Sequence, residues 1–416
     1  MSHNRTFEFQ DLHNMSFWEL GIMLGSGLGL YSIMIGQQVK AHVGPGPAIS
    51  SILLGNFILW FVGLGIISMA GGRYHIVQVI KENFGKISAV VAAIIVVAAF
   101  LFWFALHIQA PSTALTNVIN YLGADDKGLK LRMGTLLGVT CALLSIGGIK
   151  FIKWFNICVF PFLILSSFYI LLNAEISNQQ YNFFDFSFVG VTYVVLTWLP
   201  GTVNLSSFFR HSRSRANSFM GMTLMFAIHV IFQLSALFWP VENPIELVNW
   251  SISKSPLLLT VMTCFIVLSF YTVNLINIYW ASIGWGYFFK HQYESKSYTI
   301  IGLLGTMIYL FLQSFSIIET VEGIGSASIA CIGTVLIASY FMKLVIRHRP
   351  RLIDKLSNAF SWCTGFVAAL ISILFLKLDS TNSTLIGMNT TLVTFGIIIF
   401  FEEIIWSLKK MTKRKR

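Results

Sequence analysis

The chain is 416 residues long, 56% hydrophobic and only 11% charged, with a formal net charge of +11. Soluble domains carry about 25% charged residues, so this composition cannot cover a water-exposed surface, and a soluble globular class is excluded. The five cysteines, Cys141, Cys158, Cys264, Cys331 and Cys363, all sit in apolar blocks with no C-x-x-C pair; they read as inert thiols, not as a zinc or dithiol motif.

The first sixteen residues are polar, hold Arg5, Glu8 and Asp11, and do not read as a cleavable signal. Apolar blocks long enough to cross a ~30 Å hydrocarbon layer then follow one another. They predict twelve spans: 17–38, 46–69, 88–121, 131–148, 151–173, 187–206, 218–240, 256–285, 298–315, 323–346, 359–377 and 384–407. The third is long, with an extension beyond the membrane. The loops are short, so 1–416 reads as one membrane domain. It divides into an N-terminal segment 1–16, a ten-helix core 17–346, two additional helices within 359–407 and a basic tail 408–416.

Cytoplasmic loops carry the excess of Lys and Arg. With both termini in the cytoplasm, 22 of the 28 basic residues fall on the cytoplasmic side. A missed or invented span would scramble that alternation. The net positive charge is therefore a topology signal beside anionic lipid, and nucleic acid is not an expected partner. The expected location is the cytoplasmic (inner) membrane, with the lipid bilayer and a small-molecule substrate as partners.

Two spans carry break signals. The first contains Gly25-Ser26-Gly27-Leu28-Gly29, and each glycine weakens a helix by about 1 kcal/mol relative to alanine. The sixth contains Trp198-Leu199-Pro200-Gly201-Thr202-Val203-Asn204, where proline removes a backbone donor and clashes with the preceding turn. Spans one and six are the first helices of two five-helix units. Breaks at matching places in two halves point to a transporter site near the midplane; close packing by small residues is the competing explanation.

These residues carry a resemblance. Leu24-Gly25, Ser32 and Gly36 in span one, Leu53 to Leu59 in span two, Trp103-Phe104 in span three, and Phe184-Asp185-Phe186 before Gly201-Thr202 in span six belong to it. So do Ser207-Phe208-Phe209-Arg210 and, in span eight, Tyr271-Thr272-Val273-Asn274 with Ile278-Tyr279 and Gly284. In order and spacing the chain resembles the nucleobase:cation symporter family of permeases, in particular its cytosine-permease branch. The resemblance implies an all-α integral membrane fold of about twelve helices, a five-plus-five inverted repeat with broken helices one and six. It also implies transport of nucleobases, hydantoins or related compounds with Na+ or H+.

Trp103 matches the aromatic on which that family stacks its planar substrate, and His107 lies one turn later on the same face. His107 can bind a ring or take a proton, since an ionisable group inside a membrane faces a cavity or a partner. Thr197, Trp198 and Gly201 flank the second break, with Trp198 near the family's second stacking aromatic. Asn274 and Asn277 offer amide donors and acceptors to the edge of a base. For a cation, the resemblance implies carbonyls at Gly25 and Leu28 with the hydroxyls of Ser269 and Thr272. The chain also departs from the pattern. Phe100 replaces the branch's glutamine, which points away from cytosine itself. Val273 replaces a second hydroxyl, and Ser207 replaces an acid. His229 reads as interhelical packing, and Glu402-Glu403 as interfacial.

The function expected is a secondary symporter for a nucleobase or related planar nitrogenous molecule. A transporter of the same fold for an amino acid or other solute, or a non-transporting receptor on that scaffold, are the alternatives. No nucleophile–base pair or phosphate loop suggests an enzyme, and no cofactor is expected beyond a coupling ion.

Overall fold

A computed structural model describes residues 14–27, 29–123, 128–174, 185–241, 244–289, 294–314, 318–345 and 355–414. Among them there is no strand; a single parallel bridge pairs Met15 with Ser212. The helices follow the predicted spans. Span one is α1 (Phe17–Gly27) and α2 (Gly29–Val43), which meet at 57° across residue 28. Span two is α3 (Pro45–Ala70), and after it comes a short helix, α4 (Ile76–Phe84). Span three is α5 (Lys86–His107), prolonged after Ile108 by α6 (Gln109–Tyr121), the expected extension.

Spans four and five are α7 (Leu129–Leu144) and α8 (Gly148–Asn173), joined by a 3-10 turn at Ser145–Gly147. Run together they form a 45-residue apolar stretch. A straight helix of that length would reach about 67 Å, twice the membrane. The chain turns instead at Gly148, whose φ of 63° suits only glycine.

Span six is α9 (Phe188–Val203) with the one-turn α10 (Ser206–Phe209), and span seven is α11 (Arg215–Ala236). A short α12 (Pro244–Ile252) precedes span eight, α13 (Pro256–Phe288). The remaining spans are α14 (Glu294–Ser314), α15 (Ile318–Val345), α16 (Lys355–Leu374) and α17 (Ser380–Arg414). Nine continuous stretches among the described residues are long and apolar enough to cross a membrane, ten when α1 and α2 count as one. The twelve predicted spans are recovered when the 45-residue stretch is divided at Gly148 and α14 is included.

Hydroxyls start several helices. Ser16 and Glu19 form a reciprocal cap, with Ser16 N–H on Glu19 Oε2 at 2.7 Å and Glu19 N–H on Ser16 Oγ at 3.4 Å. Ser187, Ser214 and Ser255 cap α9, α11 and α13. The helices are inverted relative to soluble ones. On α3, Leu53, Phe57 and Phe61 are exposed, while Gly55, Asn56, Leu59 and Gly63 face protein. Lipid takes the large apolar side chains, and small or polar ones pack between helices.

The packing shows the repeat. α3 of the first unit packs on α9 of the second, and α11 of the second packs on α1 of the first. α8 closes the first unit by packing on α1 and α13; α15 closes the second by packing on α9 and α5. Exchanging spans 1–5 with 6–10 maps each pair onto the other. α16 and α17 lie outside this symmetry, against each other and α15.

The loops sort into two sides. On one, Met15 N–H bonds His211 O at 2.8 Å, Lys153 pairs with Glu19 at 2.7 Å, Arg215 reaches Ser68 O at 2.9 Å and Lys343 reaches Asn83 at 2.9 Å. On the other, Gln37 bonds Val241 O at 2.7 Å, Lys40 bonds Leu237 O at 2.8 Å and Asn117 bonds Asn249 at 3.2 Å. This is the partition of loops that the charge rule makes.

His75 caps α4 outside the spans and is buried. Burial holds its ring well below the ordinary value of 6.5, and the positive charge of Arg210 adds to the effect. The unfolded chain therefore binds a proton that folded His75 refuses, so the stability present above the unfolded value is lost as pH falls toward the folded one. The melting temperature of the protein in detergent should fall as pH drops below about 6.5, and His75→Gln should flatten that slope. An unchanged slope would remove His75 from the acid response.

Candidate functional site

Four elements converge: the α1–α2 break, the second half of α5, the end of α9 and the middle of α13. The α5 contribution begins at Trp103, which is half-buried. Its ring meets Phe100 edge-on at 4.8 Å, and Phe100 stacks on Trp280 at 4.7 Å. Phe100 is fully buried behind the indole, in the core.

One turn later, His107 joins a chain of amides whose direction is fixed at one end. Asn274 Nδ2 donates to Phe104 O at 3.1 Å. A backbone carbonyl only accepts, so the Asn274 amide is oriented and its Oδ1 faces Asn277. Asn277 Nδ2 donates to that oxygen at 2.9 Å and lies 3.0 Å from His107 Nδ1. The Asn277 N–H therefore requires His107 Nδ1 to accept, and the neutral ring carries its proton on Nε2. His107 also hydrogen-bonds the Asn274 side chain, so the ring and the two amides form one connected cluster. The cluster carries donors and acceptors together, one turn from Trp103.

Aromatic rings link this pair to α9. Tyr31 of α2 meets His107 edge-on at 5.8 Å and Trp198 edge-on at 5.5 Å, and its hydroxyl donates to Thr197 O at 3.4 Å. Trp198 is buried and rests against His229 at 4.4 Å. The Thr197 hydroxyl is spent inside its own helix, on Tyr193 O at 2.8 Å. Helix α9 runs through Pro200 and opens only at Asn204–Leu205, one turn later than the sequence suggested. Side chains take up the loosened carbonyls: Asn204 Nδ2 on Pro200 O at 2.8 Å and Thr202 Oγ1 on Trp198 O at 3.1 Å. Gly201 O accepts from Asn204 N–H at 3.1 Å. Beyond the opening, Trp280 Nε1 donates to Asn204 O at 3.2 Å and Tyr279 Oη to Ser207 O at 2.7 Å. The break is closed by α13, and Gly201 offers space beside Trp198 more than free backbone groups.

A second cluster lies at the end of α1. Thr272 Oγ1 of α13 is 3.3 Å from Ser26 O and 2.8 Å from Ser269 O. The buried Ser269 Oγ has no partner among the described residues. Gly25 packs its α-carbon against Ile228, and the carbonyl that Thr272 reaches is that of Ser26. Leu28 lies outside the described residues. No group of three His, Cys, Asp or Glu able to hold a metal occurs among the described residues; the oxygens here are neutral.

No protein-family model matches the chain, and no curated protein matches it. Solved structures do. Mhp1 in its inward-facing conformation matches with a TM-score of 0.63 at 14% identity, over 99% of this chain and 96% of that one. The chain shares the fold of Mhp1. A second Mhp1 structure, a nucleobase-cation-symport-1 family transporter in a closed conformation with bromovinylhydantoin bound, matches with a TM-score of 0.65 at 16% identity, over 93% and 92% of the chains. The substrate-bound outward-open state of a Na+-coupled sialic acid symporter matches with a TM-score of 0.70 at 12% identity, over 95% and 93%. The Mhp1 fold agrees with the architecture that the sequence resemblance implied; the cytosine-permease branch gains nothing from it.

Within that fold, the residues proposed from sequence form two groups. His107 and Trp198 meet Tyr31, Asn274 and Asn277 join His107, and Trp103 stands one turn before His107 on α5, while Thr272, bonded to Ser269 O, meets the end of α1. Tyr31 was missed. Its signal was a lone aromatic with a hydroxyl just after a glycine-rich break, where a ring can face a cavity.

Proposed function

We propose that the protein is a secondary active symporter for a neutral, planar heterocycle carrying an –NH–C(=O)– edge, driven by a monovalent cation. The observation that carries this reading is the polar cluster of His107, Asn274 and Asn277, one turn from Trp103 and anchored by the Phe104 carbonyl, which holds amide donors and acceptors together. A lactam or imide edge presents the complementary acceptor and donor. Trp103 supplies a π-face for the ring, and Tyr31 and Trp198, packed edge-on with each other, add further aromatic surface beside His107. Nucleobases, hydantoins and allantoin all have such an edge; a zwitterionic amino acid does not, and among the described residues the site holds no charged group to receive one. The related folds are those of transporters, which favours transport over enzymatic work or sensing alone. Na+ is the first candidate ion, given the neutral oxygens at the end of α1. H+ is the second, through His107. The excess of Lys and Arg on one set of loops supports an inner-membrane location with both termini in the cytoplasm.

The hydrogen bonds and ion pair on the cytoplasmic side close that face. Alternating access requires Glu19 and Lys153 to part, because they tie α1 to α8. A partly exposed pair of this kind is worth up to about 1 kcal/mol, so Lys153→Ala should raise the population open to the cytoplasm about fivefold. The readout is labelling of a cysteine placed at Ser26 from the cytoplasmic side; unchanged labelling would remove the pair from gating.

The deciding measurement is thermal stabilisation of the purified protein by uracil, hydantoin, allantoin and amino acids, in sodium and in choline. A ligand at ~100 times its dissociation constant adds about 2.7 kcal/mol to the folded state. Stabilisation by the heterocycles, larger in sodium, is expected. Stabilisation without sodium dependence transfers coupling to H+. Stabilisation by amino acids alone overturns the substrate class.

A further inference from the structure

The α1 end has an oxygen that the sequence reading did not include. Asn156, on α8, is fully buried. Its Nδ2 donates to Met23 O at 3.0 Å, in the last turns of α1. Its Oδ1 is buried and has no hydrogen-bond donor among the described residues. An amide oxygen in a membrane interior without a donor is costly, so its persistence asks for a ligand. The neighbouring Ser269 Oγ is in the same position.

Asn156 and Thr272 approach the last turns of α1 from two helices. Met23 O, held by Asn156, and Ser26 O, reached by Thr272, lie one turn apart on α1. A Cβ added at Gly27 would come within 3.3 Å of Asn156 Nδ2 and would collide with Ile276 Cδ1 of α13. Only glycine leaves the end of α1 open between α8 and α13. A helix C-terminus has carbonyls without intrahelical donors and a partial negative charge, which favours a cation. Among the described residues the surrounding groups are neutral oxygens, with no carboxylate. Hard cations take oxygen ligands, and the divalent ones are ordinarily held with carboxylates, so the set suits a monovalent ion.

We infer that Asn156 Oδ1 is a ligand of the coupling cation, Na+, acting with Ser269 Oγ, Thr272 Oγ1 and the carbonyls at the end of α1. The inference rests on the symporter reading and extends it: Asn156 provides an oxygen on the side of the site opposite α13, where Val273 contributes none. It also gives the ion a mechanical role. Asn156 belongs to α8, which packs on both α1 and α13. An ion bound by all three helices stabilises their packed arrangement and, with it, the closed cytoplasmic side. Loss of the ion frees α8 to move.

The test is the increment in melting temperature given by NaCl over choline chloride, titrated for the wild-type protein, Asn156→Leu and Asn156→Asp. Asn156→Leu should raise the sodium midpoint about tenfold or more. Asn156→Asp should lower it, because a carboxylate binds the same ion more strongly. The choline baseline separates a structural role: loss of the Met23 hydrogen bond lowers stability equally in both salts. A wild-type sodium increment that survives unchanged in Asn156→Leu overturns the assignment of Asn156 and leaves sodium coupling standing. No sodium increment in the wild type overturns both. If Asn156→Leu does not yield folded protein, Asn156→Asp decides alone, and a sodium midpoint equal to wild type or higher overturns the inference.

Discussion

Trp103→Ala should weaken heterocycle binding about 50- to 100-fold while leaving the protein folded. The indole is half-buried and fixed from behind by Phe100, itself stacked on Trp280. A planar ligand on the open face would cover about 100 Å² of it. At about 25 cal/mol per Å² that burial is worth roughly 2.5 kcal/mol, or nearly two decades in affinity. Trp103→Phe keeps a π-face and should retain most of the binding. The comparison with Trp198→Ala is instructive, because Trp198 is buried against Tyr31 and His229. That variant should lose stability as well as affinity. Ligand titration followed by melting temperature separates the two, and full binding by a folded Trp103→Ala protein would reject stacking at this residue.

Much of this architecture is legible in the sequence because the membrane enforces it. Every backbone group in lipid must be bonded within its own helix, so an apolar block of the right length has one outcome, and the basic loops add orientation. The short helices escape that logic. α4 buries Ile76, Val77, Val79, Ile80 and Phe84, yet its nine residues also carry Lys81 and Glu82 and read as a loop. α12 is hidden for the same reason. The break in span six was legible in kind but displaced in place. Pro200 weakens the helix, but the side chains of Thr202 and Asn204 bond the carbonyls around it and carry the helix to Val203.

The site was legible where the residue type is rare in lipid: His107, Asn274 and Asn277 stand out as polar groups in apolar helices. Their order of donation was not, since it depends on Phe104 O, a backbone atom brought in by the fold. Asn156 also stood in plain view in span five, but only packing against Met23 and α13 distinguishes it from ordinary polar contact between helices. Ser207 shows the reverse case. It lacks the acid that the resemblance implied, yet it ties α4 and α13 together through neutral bonds, accepting from Ile76 N–H at 3.3 Å through its hydroxyl and from Tyr279 through its carbonyl.

Gly36→Ala should be the most damaging single methyl in the transport core, while the same change at Gly396 should stabilise. A Cβ at Gly36 of α2 collides with the carbonyl oxygen of Gln233 on α11 and comes 3.0 Å from Ala236 Cβ. A helix carbonyl cannot swing aside, so the two helices must separate. Separation also stretches the 2.6 Å bond by which Asn56 of α3 donates to Gln233. Overpacking of a rigid contact costs 1–3 kcal/mol or more, and the added loss of a buried bond takes Gly36→Ala to about 3 kcal/mol. Gly396 on α17 has nothing within 4 Å of an added Cβ, and alanine there gains up to about 1 kcal/mol of helix propensity. Melting temperatures should therefore move in opposite directions; a neutral Gly36→Ala would mean that α2 and α11 do not cross this closely. The reason lies in a row of contacts. Gly21, Gly25 and Gly36 meet α11 at Leu224, Ile228 and Gln233 in turn. The glycines that open the first span at residue 28 are thus followed and preceded by glycines that lock both of its halves to α11. The span is broken between these contacts, and it stays in register with its neighbour on either side of the break.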